Sequence, residues 1–185
     1  MRAIDNNYLY FGWVFDRLDE QYGMTPLSTL ASVFSLLGGD LSGLDTSVQG
    51  PLQLANGLLA MASSTLAALT GTDDAALMRV ADSDVSGAQL QGLGNAGSNT
   101  IYRLREGIER FLITDINNPA ASAQAQSSVF IMMDQVASDP AFYNHVPGGS
   151  NVLYMDGHVA FIRYQPSGGT VPITRPVANV LGILL

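Results

Sequence analysis

The chain has 185 residues, sixteen acidic and eight basic side chains, a formal charge of -8 at neutral pH, and no cysteine. That length suits one domain able to bury roughly 70% of the surface its unfolded form exposes. Disulfides and thiolate metal sites are excluded, and the acidic balance, with arginine as the only basic residue type, argues against nucleic acid as a partner.

The first twenty residues, with Arg2, Asp5, Asp16, Asp19 and Glu20, lack the apolar core of a signal peptide, and no run of 18 apolar residues free of polar ones occurs. Tyr8 to Trp13 combines aromatics at β-favouring spacing and runs into Val14 to Leu18, which reads as a short strand followed by a helical turn. Thr25-Pro26 offers an N-cap and a proline at the first helical position. Leu27, Leu30, Val33, Phe34 and Leu37 then repeat at three and four residues until Gly38-Gly39. A second helix starts near Pro51, with Leu52, Ala55, Leu59, Ala62, Leu66 and Leu69 as its apolar line. That line is expected to pack within its own domain, the alternative being a coiled-coil seam with another chain.

Residues 71 to 100 hold Asp73, Asp74, Asp82 and Asp84, then Gly87, Gly92, Gly94 and Gly97, which predicts a short helix over 75 to 80 and an exposed, mobile loop. The Asp-x-Asp there lacks the ligand spacing of a calcium loop. Ile101 to Leu112 has apolar residues at 101, 104, 108, 111 and 112 and reads first as a helix, with 108 to 113 as an alternative strand. Arg103, Arg105, Glu106, Glu109 and Arg110 would be its solvated face. Asn117-Asn118-Pro119 marks a turn, 120 to 126 a short helix, and Val129 to Met133 a buried strand that Asp134 ends. The stretch 138 to 149 is loop.

Residues 151 to 164 form a β-hairpin turning at Asp156-Gly157. A two-residue type I′ turn opposes Met155 to His158, Tyr154 to Val159, Leu153 to Ala160 and Val152 to Phe161. One face then carries Val152, Tyr154, Val159 and Phe161 and the other Leu153, Met155, Ala160 and Ile162, so both are apolar and both are expected to be covered. The fold class is therefore α+β, an antiparallel sheet with a C-terminal Asp-Gly hairpin packed against helices. The apolar piece Val177 to Leu185 is expected to pack on the same domain rather than on a neighbour.

His145, a Gly-rich approach, Asn151-Val152-Leu153 and then Asp156-Gly157-His158-Val159 resemble, in that order, the C-terminal signature of the prepilin-type, processing-associated H-X9-DG proteins, a pseudopilin-like branch. Similar residues run back through Tyr102 to Pro119, with Arg103, Glu106, Arg110 and Asp115, through Asp134, and through the aromatic Tyr8 to Trp13 start. Ten residues rather than nine separate His145 from Asp156, which reads as a one-residue insertion at Val146-Pro147. The resemblance implies a single pilin-like globular head over 1 to 185, with 24 to 100 a variable, mostly helical insertion. It further implies a soluble extracytoplasmic head, periplasmic or at the cell surface, of a structural subunit in a type II secretion or type IV pilus-like filament. Partners would be other pilin or pseudopilin subunits and secretion-system components. An apolar N-terminal assembly helix, absent from these residues, would anchor the full-length form in the inner membrane.

Asp134, His145, Asp156 and His158 are the candidates for a metal site. Two histidines with a carboxylate suit zinc, and carboxylates with backbone carbonyls suit calcium. The plainer expectation is no cofactor, with Asp156 making the turn and Asp134 and His145 bonding each other or backbone groups. No Gly-x-Ser-x-Gly, phosphate loop or paired catalytic carboxylate is present, so no enzyme is expected. The alternative function is a periplasmic or secreted binding module with a metal or ligand site at these four residues.

Overall fold

A computed structural model of the chain describes residues 8–36, 38–39, 45, 47–71, 75–112, 125–136, 148–165 and 167–184. In chain order its elements are β1 (Tyr8–Tyr10), β2 (Met24–Pro26), α1 (Ser28–Leu36), β3 (Gln49–Pro51), α2 (Leu52–Leu69), α3 (Ala75–Ala81), β4 (Val85–Ser86), β5 (Thr100–Ile101), β6 (Phe130–Asp134), β7 (Gly149–Tyr154), β8 (Val159–Arg163) and α4 (Arg175–Leu184). The main sheet is antiparallel in the order β1-β6-β7-β8, and β2-β3 and β4-β5 form two small ribbons. The fold is α+β.

The Asp-Gly hairpin forms where expected, but with a three-residue loop rather than two. Leu153 pairs with Val159, Val152 with Ala160 and Asn151 with Phe161. Gly157 N–H donates to Tyr154 C=O at 2.9 Å, and Gly157 sits at φ +89, so a type I turn runs into a left-handed glycine bulge. The one-residue difference exchanges the faces of one strand against the other. Ser150, Val152, Ala160 and Ile162 now share the core side, with Ser150 and Val152 fully buried, whereas Val159 and Phe161 turn outward and are each 60% exposed. The expectation of two covered faces fails on this outer strand.

Alternation places Leu9, Met133 and Val152 on the core face. They join Phe11, Phe15, Leu18, Leu27, Leu54, Ile101 and Phe130 in one cluster. α4 completes it: Val177, Ala178 and Val180 are wholly buried, so the C-terminal piece packs on its own domain. Gly50 permits this, because a Cβ there would meet Val180 and stand 2.9 Å from Leu27 Cδ2.

α1 and α2 lie where the periodicity placed them. Thr25 and Pro26, however, belong to β2, where Thr25 pairs with Gly50. α2 is long and apolar enough, by length and composition, to cross a membrane, yet its N-terminal half is built into this core. The buried positions are Gln53, Leu54, Ala55, Gly57 and Ala60, so of the expected line Ala55 is buried while Leu66 and Leu69 are exposed. Small size selects that face: a Cβ at Gly57 would stand 2.7 Å from Ile101 Cδ1 and 3.1 Å from Phe15 Cε1.

Two further expectations fail. Val14 to Leu18 is extended, not helical, because Val14 N–H donates to Tyr102 C=O and Leu104 N–H to Gly12 C=O, both within 2.9 Å. That pairing draws out 102 to 104, and Gly107 at φ +75 breaks the chain's course once more, so only Ile108–Phe111 winds, as a 3-10 turn. The region 82 to 100 is not simply exposed loop, since Leu90 is fully buried and Asn95 only 1% exposed. The turn at 117 to 119 and most of the helix at 120 to 126 lie outside the described residues, although 125 to 128 are helical.

Candidate functional site

β6 ends on Asp134, which is buried and accepts from two donors of its neighbour on β7: Asn151 N–H and Asn151 Nδ2, each at 2.8 Å from Oδ2. Ser150 Oγ donates to Asp134 C=O at 3.0 Å. A carboxylate thus takes the place of a ladder carbonyl and locks the ends of two central strands, a charge-assisted contact stronger than the amide bond it replaces.

The other described candidates sit at the hairpin tip. Asp156 Oδ1 accepts from His158 N–H at 3.1 Å and lies 2.6 Å from His158 Nδ1. The His158 ring stacks on Tyr154, with centroids 4.3 Å apart and planes at 6°. The backbone amide of His158, then its ring, hold the Asp156 carboxyl below its ordinary value of 3.8. Burial pushes the Tyr154 hydroxyl above 10.0.

These two clusters do not converge. From Asn151, which holds Asp134, β7 runs on to Tyr154, about 10 Å, before the turn that carries Asp156. Asp134 is therefore set apart from Asp156 and His158, which sit together at the turn. His145 and Asp115 lie outside the described residues. Among the described residues no group of three or more histidines and carboxylates is placed to hold a metal.

Of the remaining motif residues, Arg103 departs most from the solvated face expected of it. Its guanidinium lies 4.8 Å over the Trp13 ring and donates to Gly12 C=O, while its buried Nε makes no hydrogen bond and stands 3.9 Å from Asp82. Asp84 accepts from Arg103 N–H at 2.8 Å and from Arg105 at 3.1 Å. The acidic pair Asp82 and Asp84 is thus engaged by arginines. Arg110 Nε donates to Gly107 C=O at 2.8 Å, and Glu106 is exposed.

Sequence reasoning missed the densest polar cluster. Gln53 and Asn95, each 1% exposed, converge on Asp16. Gln53 Nε2 donates to Asp16 Oδ1 and to Leu93 C=O, and its Oε1 accepts from Arg17 N–H. Asn95 Nδ2 donates to Asp16 Oδ1 and Val14 C=O, and its Oδ1 accepts from Tyr102 N–H. Both amides use every donor, leaving nothing to offer a ligand, and the cluster is a joint between the extended N-terminal segment, α2 and the loop before β5. No local pattern announces it, because its members lie far apart in sequence.

Among the described residues, one surface hollow of about 540 Å³ is bordered by Glu106, Glu109 and Arg110. Another, about 370 Å³, lies between α2 and α3 and is lined by Trp13, Met61, Leu77 and Met78, without a titratable group. Compared with protein-family models, with curated proteins and with solved structures, the chain matches none.

Proposed function

We propose that this chain is the extracytoplasmic head of a pseudopilin-like structural subunit, with a pilin-like fold, serving a type II secretion or type IV pilus-like filament. The observation that carries the reading is what the motif residues do. Asn151 with Asp134 pins β6 to β7, while Asp156, Gly157 and His158 shape the turn into β8. A signature spent on holding a sheet together suits a subunit selected for shape and surfaces. It gives no reason to invoke a reaction or a cofactor.

The test is to isolate the protein from its native cells, fractionate the membranes and determine its full N-terminal sequence. The expected result is an apolar segment of about twenty residues ahead of the aromatic start, enough to span a bilayer, with recovery in inner-membrane or sheared surface fractions. Recovery from the cytosol without such a segment would overturn the proposal.

A further inference from the structure

The hollow of about 540 Å³ lies beside the 3-10 turn Ile108–Phe111, and Glu106, Gly107, Glu109, Arg110, Gln126 and Met155 form its walls. Three segments meet there. Ile108, only 1% exposed, anchors the turn, and residues 125 to 128 wind as a helical turn opposite it. Met155 N–H donates to Val129 C=O at 2.8 Å, which holds the start of the hairpin loop beside them.

The charge of this hollow is not balanced from within. Glu109 Oε2 is shut off from solvent, and no hydrogen bond reaches it. Arg110, the cation nearest in sequence, is spent elsewhere. Its Nε donates to Gly107 C=O at 2.8 Å, and its guanidinium folds over that glycine, where a Cβ would stand 2.5 Å from Nη2. Among the described residues neither Glu106 nor Glu109 forms an ion pair. A carboxylate oxygen that has given up water without gaining a donor is costly to hold, and a cation seated against the carboxylate offsets that cost.

We propose that this hollow binds an alkylammonium cation, supplied either by a lysine side chain of a partner or by a free aliphatic amine. The sign follows from two carboxylates set against one committed arginine, in a chain whose formal charge of -8 draws cations from a distance. The chain has no lysine of its own to fill the place. An organic cation fits better than a metal ion, because calcium takes about six to eight oxygen ligands. Among the described residues no group of three histidines or carboxylates is placed to hold a metal. The hollow is also larger than a single ion, and Met155 offers an alkyl stem an apolar wall.

The proposal stands apart from the filament reading, because it is tested on the isolated chain with small cations. Titration with n-butylammonium chloride at low ionic strength, followed by NMR, should move the amide signals of Glu106, Gly107, Glu109, Arg110 and Gln126 along a saturating curve with Kd of about 1 to 10 mM. Sodium chloride at equal concentrations should not, and about 1 M salt should suppress the binding. A blocked peptide with one lysine separates the two sources: binding as tight as the amine or tighter assigns the site to a partner's side chain, and weaker binding assigns it to a free amine. E109Q should weaken butylammonium binding by about tenfold or more and E106Q, at an exposed residue, by about threefold. Because glutamine removes a charge that has no partner, the thermal melt of E109Q should be unchanged or raised. No saturation by about 0.1 M amine, wild-type affinity in E109Q, a lowered E109Q melt, or tighter saturation of the same signals by calcium chloride would overturn the proposal.

Discussion

Replacing Gln53 by leucine keeps the side chain's bulk and deletes its polar end at a site only 1% exposed. Three hydrogen bonds vanish at once: Arg17 N–H to Oε1 at 2.9 Å, Nε2 to Asp16 at 2.8 Å, and Nε2 to Leu93 C=O at 2.9 Å. Arg17 N–H and Leu93 C=O lose their partner beside an apolar group, each costing about 1 to 3 kcal/mol. Asp16 keeps Asn95 Nδ2 and Ala96 N–H, so its loss is nearer the usual net value of about 1 kcal/mol. Added apolar burial returns about 1 kcal/mol. The net expectation for Gln53→Leu is a loss of about 2 to 6 kcal/mol, a large part of the roughly 5 to 15 kcal/mol that holds a domain together. In urea unfolding followed by circular dichroism, with a slope near 2 kcal/mol/M, the midpoint falls by about 1 to 3 M at constant slope. A loss below about 1 kcal/mol would refute the view that these amides form a dry, fully satisfied joint.

Gly50→Ala drives a methyl group into Val180 and Leu27. The expected cost is about 1 to 3 kcal/mol, a drop in Tm of about 3 to 10 °C by calorimetry, and an unchanged Tm would count against the seating of α4 on β3. Gly157→Ala forces a side chain into φ +89 and should cost about 1 to 2 kcal/mol. The accompanying check on register is an NMR contact between the Hα protons of Leu153 and Val159, and a contact between those of Tyr154 and Val159 would restore the two-residue turn. The Asp156 carboxyl should titrate below 3.8 by NMR. Because its folded value is lowered, its stabilising contribution is complete above the unfolded value and is lost as pH falls through the folded one. His158→Ala deletes the ring but keeps the amide that is the larger cause, so the midpoint should return only part of the way. An unshifted wild-type midpoint would refute the turn geometry.

The hairpin's place was legible because Asp-Gly suits a reversal and little else at that spacing. Its loop length was not, because the same dipeptide serves a type I′ turn and a type I turn with a glycine bulge. That ambiguity is local, but it decides whether Phe161 is core or surface. α2 was legible as a helix and misleading as to its face. Counting large apolar residues picks Leu66 and Leu69, whereas the core took Gly57 and Ala60 because neighbours could approach there, and accepted Gln53 because every polar atom of its amide found a partner. The helix expected over 101 to 112 fails for a non-local reason: Leu104 N–H and Tyr102 C=O pair with Gly12 and Val14, while the N–H groups of Tyr102 and Arg103 go to the side chains of Asn95 and Asp84. Among the candidate site residues, chain order suggested a meeting of Asp134 with Asp156, but the length of β7 holds them apart.

The burial of α4 also bears on how the core is closed. Val177, Ala178 and Val180 have no solvent exposure, and they close a core whose other walls come from β3, α1 and α2, more than a hundred residues earlier. Without residues 175 to 184, Gly50 lacks Val180, the side chain packed over it, and this part of the core stays open. α4 thus closes the core through contacts between residues more than a hundred positions apart, the long-range kind that slows folding.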